Sequence, residues 1–290
     1  MSVRNNEDRL GAPPADAPVG ALHEGETSPE QNNAGIGLSF AVPTEIVDLP
    51  SQGRFYPSGH ALHGQETIEI KHMTAKEEEI LTSRSLLKKG VAIDRLVQSV
   101  IVDKSIKVGD LLIGDKNALL IAARITGFGP DYGVKITCPV CITENDCNID
   151  LQAIKSKSPE ETDSKLLENG NYEMIFPEYN NLAVEVRLLR GADERKLTQN
   201  REQRRKAKKE DSLITDQLGA IIVRVNEVTD PALLKQFVEQ CPTKISREIR
   251  TRYEKIMPDV DMSVPFTCSN CEYESEVDMP MTAEFFWPRQ

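Results

Sequence analysis

Two pairs of cysteines, Cys138-Pro-Val-Cys141 and Cys268-Ser-Asn-Cys271, carry the most readily named chemistry in this 290-residue chain. Thiolates at positions i and i+3 of a tight turn present two sulfurs to one ion, and two such turns complete the four-ligand tetrahedron that zinc prefers. Backbone amides of the same turns point at the sulfurs and help to hold their charge. The chain would fill all four positions and leave none open for water or substrate, so the expected site is structural. In a compact zinc ribbon the two pairs stand roughly 15–20 residues apart. Here a whole helical stretch separates them, which suggests a metal that clamps two halves of the chain together. Two rival readings stay open. A thioredoxin-like redox pair at Cys138 and Cys141 requires a following helix to lower the thiol pKa, whereas polar alternation and another strand follow. The second rival is a pair of knuckles that hold no metal. Cys147 could replace one ligand but reads more simply as a small buried thiol, and Cys241 reads as core filling at a helix end.

Other candidate chemistry is thinner. His60-Ala-Leu-His63 lies in a Gly-rich stretch without neighbouring carboxylates or cysteines and reads as a surface turn. Glu77-Glu78-Glu79 stands at a helix start, where it complements the macrodipole. The concentrated basic run, 195–209, could lie on nucleic acid or an acidic neighbour, but without interleaved aromatics its simpler reading is a solvated helix or loop. The chain has no Gly-rich phosphate loop, no Gly-x-Ser-x-Gly elbow and no His-Glu-x-x-His. No enzyme is expected.

The elements that must position the cysteines are short. Val134–Thr137 runs as a strand into the first pair and Asn148–Leu151 leads away. The second pair lies between Phe266-Thr267 and the alternating 274–279. Upstream, the turn-rich Ile46–Pro57 is followed by a strand at Thr67–Lys71. Thr74 with Glu77 is a capping box opening a helix to about Leu87. Ile93, Leu96, Val97, Val100 and Ile101 mark a second helix, and Asp115 is expected to cap a third that stops at Gly127. The polar stretch 155–168 reads as a linker, and Tyr172–Phe176 and Val184–Leu188 as strands. Helices are expected over about 193–209, over 213–225, after Asp230-Pro231, and from Thr243 to just before Pro258. The fold class is α+β: helical segments with short β-hairpins, two of them zinc-ribbon-like and joined in one four-cysteine site. Three segments follow: a disordered tail at 1–38, rich in proline and free of aromatics, and two α+β halves, 39–156 and 157–290, each ending in a knuckle.

The net charge of −11 argues against broad coating of nucleic acid or anionic membrane. With 5% aromatic residues and one Trp, the core must rest on Leu, Ile and Val. No apolar stretch of about 18 residues and no signal-peptide pattern occurs, so a reducing compartment is expected, where cysteines seldom pair as disulfides. The terminal Phe285-Phe286-Trp287-Pro288 is expected either to pack back beside the second knuckle, the favoured reading, or to plug into a partner.

Together these residues resemble the baseplate hub-subunit family of contractile-tailed, T-even-type bacteriophages. The matching pieces are Leu49-Pro-Ser-Gln-Gly53 with Phe55-Tyr56, the stretch Thr74-Ala-Lys-Glu-Glu-Glu-Ile-Leu81, the two knuckles in order, and the closing Phe-Phe-Trp. The resemblance runs from about Val47 to Trp287. The acidic N-terminal tail is longer than the family pattern requires, and Arg201–Lys209 looks like an insertion. What the resemblance implies is a structural protein of the tail baseplate, in hub or wedge. It would be assembled in the host cytoplasm into the virion, in several copies around a symmetric ring. Its partners would be other hub or wedge proteins, the tail tube or the tape-measure end, with no membrane partner. Two alternatives remain: an assembly factor absent from the finished particle, and a zinc-ribbon nucleic-acid binder using Arg201–Lys209.

Overall fold

The computed structural model describes residues 41–210, 212–279 and 283–286; the tail expected at 1–38 and Trp287 lie outside them. From Val42 onward the described residues form one compact unit. Among them the architecture is α+β, with eight α-helices, four two-stranded antiparallel sheets and one of four strands.

The chain opens with β1 (Thr44–Asp48), paired to β2 (Thr67–Lys71) across a long turn-rich connection. α1 (Ala75–Thr82) starts where the sequence places it, Glu77 reaching back to the amide and hydroxyl of Thr74. The helix does not run to Leu87: it breaks at extended Ser83, and a separate α2 (Arg84–Lys88) follows. α3 (Ala92–Val100) inserts Leu96, Val97 and Val100 fully into the core. α4 (Ile113–Phe128) ends at Gly129 (φ 85°) rather than at Gly127. β3 (Asp131–Thr137) and β4 (Glu144–Asp150) then form the first hairpin.

The expected linker holds two short strands. β5 (Ser156–Lys157) pairs far along the chain with β10 (Asp259–Val260), and β6 (Ser164–Leu166) joins the four-stranded sheet. That sheet continues with β7 (Tyr172–Phe176) and β8 (Leu182–Val186). α5 (Gly191–Lys206) follows, then α6 (Leu213–Ile221). The helix expected over 213–225 stops at Ile221 because β9 (Ile222–Val225) takes the open edge of the sheet, Val225 opposite Val184 and Ile222 opposite Val186. α7 (Pro231–Gln240) carries its cap, Asp230 accepting from the amides of Ala232 and Leu233. α8 (Thr243–Ile256) contributes Ile249 and Tyr253 to the core before β11 (Ser263–Thr267) and β12 (Glu274–Asp278) form the last hairpin.

Three buried charges on α4 tie the unit together. Asp115 does not cap the helix. It is fully buried inside the first turn, accepting from the Ser51 amide (3.0 Å), the Ser51 hydroxyl (2.6 Å) and the Tyr56 hydroxyl (2.7 Å). Burial pushes its carboxyl above the ordinary range against the pull of those donors. The Leu49–Tyr56 segment is therefore a loop folded around one carboxylate. Its bend places Gly53 at φ +68° against the backbone of Leu62 and Gln65. Lys116 lies 2.8 Å from Asp94 and 2.7 Å from Glu194, joining α3, α4 and α5. Arg124, fully buried, has three carbonyl acceptors: Phe285, Gly129 and Asp131.

Glu77 gives the fold a measurable pH dependence. Burial pushes its carboxyl up, but the Lys71 ammonium, the hydroxyls of Ser99 and Thr74 and the Thr74 amide outweigh it and hold the pKa at about 2. Since the folded pKa lies below the ordinary 4.5, the unfolded chain takes up the proton first. Its stabilisation is complete above about pH 4.5 and is lost as pH falls toward 2. Urea titrations of Glu77→Gln should show about 2–3 kcal/mol less stability than the parent at pH 7, a gap that narrows steadily below about pH 4.5. A gap independent of pH would remove Glu77 as its source.

Candidate metal centre

The two hairpins present their cysteines in the same way. Thr137 pairs with Glu144 at the end of the first and Thr267 with Glu274 at the end of the second, so each knuckle is a six-residue connection beginning with cysteine. The same two hydrogen bonds close both. The amide of Cys138 donates to Thr143 (2.9 Å) and that of Ile142 to Cys138 (3.0 Å); Cys268 donates to Tyr273 (2.9 Å) and Glu272 to Cys268 (3.0 Å). Ile142 and Glu272 both occupy the left-handed region, at φ 60° and 56°. For a β-branched residue this conformation costs on the order of 1–2 kcal/mol. Ile142 is 78% exposed, so no burial of its own offsets that cost; the knuckle geometry imposes it.

Placed face to face, the knuckles bring the four sulfurs together. Cys138 Sγ lies 3.7 Å from Cys271 Sγ, Cys141 Sγ lies 3.5 Å from Cys268 Sγ, and all four fall within 4.8 Å of one another. A zinc–sulfur bond of about 2.3 Å in a tetrahedron requires sulfur–sulfur edges of about 3.8 Å, so the donor set fits that ion in chemistry and in size. It is a group of four thiols and no carboxylate. Cys138 and Cys268 are buried, Cys141 half-buried and Cys271 exposed. Around them sits a satellite core of Phe266 with Ile136, Cys147 and Val277, separate from the main core.

The thiols are graded in acidity. The Thr143 hydroxyl and amide, with the Asn270 side chain, hold Cys141 down at about 5. Burial pushes Cys268 up, but the amides of Asn270 and Cys271 outweigh it and lower its pKa. The Tyr273 amide pulls Cys271 down, yet Cys141, burial, Cys268 and Cys138 together lift it to about 12. Two thiols, Cys141 and Cys268, are acidified while the proton of Cys271 is retained by crowding. A dication among the sulfurs is what would let that proton leave.

Asn145, on β4 and buried, was not marked by any motif. Its amide nitrogen lies 3.7 Å from Cys268 Sγ and 2.9 Å from the Thr143 carbonyl. Its oxygen accepts from the amide (2.8 Å) and hydroxyl (2.7 Å) of Ser269. One side chain of the first hairpin thus orients the second knuckle, as outer-shell groups do around metal ligands.

Other singled-out residues do other work. Cys147 lies in the satellite core and not in the sulfur cluster, burial pushing its thiol up; Cys241 packs on the main core at the end of α7. His60 stacks on Tyr56 (4.6 Å) and accepts from the Leu62 amide, while His63 Nδ1 lies 2.7 Å from the Tyr56 carbonyl. Both fasten the turn. In the basic run, Arg204 pairs with Asp216 and Arg195 with Asp94, while Arg201, Arg205, Lys206, Lys208 and Lys209 are exposed. A groove of about 750 Å³ lies between α5, α6 and α7; of its charged lining residues, Arg187 pairs with Asp193, Arg204 with Asp216 and Lys235 with Glu239. Phe285 and Phe286 are buried, and Phe285 lies against the first hairpin rather than the second knuckle, meeting Tyr132 edge-on at 5.0 Å. Among the described residues no helix is long and apolar enough to cross a membrane.

A family model described as T4 bacteriophage base plate protein matches residues 42–287, most of the chain. No curated protein and no solved structure matches it.

Proposed function

The chain belongs to the T4 bacteriophage base plate protein family, and we propose that it is a non-catalytic building block of the tail baseplate, in hub or wedge, stiffened by one structural zinc. The observation that supports the metal is the close approach of the four sulfurs of Cys138, Cys141, Cys268 and Cys271, all within 4.8 Å of one another. Bound there, zinc would supply cross-linking and charge neutralisation and no reactive position. The residues would do the rest. The two knuckle turns aim their amides at the sulfurs, Asn145 and Thr143 fix the thiolates of opposite hairpins, and Phe266 with Ile136 keeps the inner side dry.

In this reading the segments 39–156 and 157–290 are two halves of one rigid part, and the ion fastens the hairpin that closes each. The partners are other baseplate and tail proteins, assembled in the host cytoplasm and carried in the virion. Purified particles, examined by quantitative mass spectrometry, should contain the chain at a small fixed copy number consistent with a symmetric ring. Abundance in the lysate with absence from particles would replace this reading with that of an assembly factor.

A further inference from the structure

β1 is exposed in a way the other strands are not. Thr44, Glu45, Ile46 and Asp48 are all exposed, Ile46 at 71%, and only Val47 is half-buried against the core. The strand pairs with β2 on one side alone. The hydrogen bonds flanking that pairing fix which groups face outward. The Leu49 amide donates to the Glu66 carbonyl, and the His72 amide donates to the Pro43 carbonyl. Inward and outward groups alternate along an antiparallel strand, so residues 43, 45, 47 and 49 bond toward β2. Thr44, Ile46 and Asp48 aim their N–H and C=O groups away from it, and none of these has a backbone partner among the described residues.

Such an edge is a template for another strand. Proteins usually blunt an edge with charged side chains, above all lysine, with proline or with a bulge; here the charges are the two carboxylates of Glu45 and Asp48, so their placement decides what can pair. Thr44-Glu-Ile-Val-Asp48 has no lysine or proline, and its register with β2 is continuous. The order of its residues selects the partner. In an antiparallel pairing of two copies of β1, the outward groups meet when a residue lies on the axis, and only residues 45, 46 and 47 at the centre overlap more than one residue of the strand. Centring on Glu45 sets it against the same carboxylate. Centring on Val47 sets Asp48 against Ile46 and leaves the strand ends unmatched. Centring on Ile46 pairs all five residues: isoleucine meets isoleucine, Thr44 meets Asp48, Glu45 meets Val47, and no like charges are opposed.

We propose that β1 is a self-association edge, through which a second copy of this chain adds across a twofold axis at Ile46. The product is a continuous sheet in the order β2, β1, β1, β2, closed by about six new backbone hydrogen bonds. The exposed Ile46 side chain is covered by its own copy. The inference does not depend on the metal or on the place of the chain in the tail.

Sedimentation of the full-length chain between about 1 and 100 µM tests it. The parent should pass from monomer to dimer with concentration. Ile46→Pro removes an outward N–H, which an edge strand tolerates, so it should melt like the parent while weakening the dimer about tenfold or more. Ile46→Thr, β-branched and without the loss of a donor, should retain a weaker dimer. A parent that stays monomeric throughout overturns the proposal and leaves the edge to a strand of a different protein. A dimer that Ile46→Pro leaves unchanged overturns it equally.

Discussion

Replacing Cys268 by serine should release the metal and lower the melting temperature by about 10 °C or more, the largest effect expected of any single substitution at the site. Structural zinc contributes on the order of 10–16 kcal/mol of apparent binding free energy in small motifs. Even a third of that is large against a typical net stability of about 5–15 kcal/mol. For a chain of this size each lost kcal/mol shifts the melting temperature by about 2–4 °C. The loss should be felt because little else joins the two hairpins. Their shared core is Phe266 with the cysteines and a few half-buried neighbours, and the principal polar bridge is Asn145 to Ser269. Metal content by plasma mass spectrometry and a thermal melt read the two halves of the expectation. Cys147→Ser, outside the sulfur cluster, should retain a full equivalent of zinc. An unchanged melt and metal content in Cys268→Ser would falsify the clamp.

Gly53→Ala should cost about 3 kcal/mol or more, through two independent penalties. The backbone at φ +68° disfavours any side chain by about 1 kcal/mol. A Cβ there would also sit 2.4 Å from the Gln65 nitrogen and 2.5 Å from the Leu62 oxygen. Both are backbone atoms, so the loop must move as a body. That movement would pull Ser51, and with it the amide and hydroxyl that satisfy Asp115, leaving a buried carboxylate short of donors. Urea denaturation measures the loss. A change under about 1 kcal/mol would mean that the loop shifts freely and that its grip on Asp115 matters little.

How much of this was legible in the sequence depended on whether a feature is local. The knuckles were readable because cysteine spacing within a turn dictates geometry, and the capping box at Thr74 because both partners lie within one turn. The Asp230-Pro231 helix start is of the same kind. Asp115 looked like a cap because an acid near a helix start usually is one. Its true partners, Ser51 and Tyr56, stand some sixty positions away and carry no periodic mark. The apolar residues at 213–225 fit a helical period throughout, yet Ile222–Val225 became strand because the edge of β8 was free to pair. Sheet pairing outweighed local pattern there. The two-residue β5 exists only because β10 lies beside it. Asn145 was invisible for the same reason: an asparagine in an alternating strand says nothing until the opposite hairpin arrives.

The distance along the chain between the two knuckles has a consequence for synthesis. A compact ribbon can capture its ion as soon as a few dozen residues have emerged, but here Cys138 and Cys141 must wait for Cys268 and Cys271. During that interval the first knuckle is a two-sulfur half-site whose thiols are open to stray ions and to oxidants. Closing so long a loop would also make a bound ion a strong restraint on the unfolded chain. In the proposed zinc site, metal loading would therefore be a late event that reports on everything translated between the knuckles. A chain whose middle has misfolded cannot bring the second pair to the first, and it would be recognisable by its missing zinc.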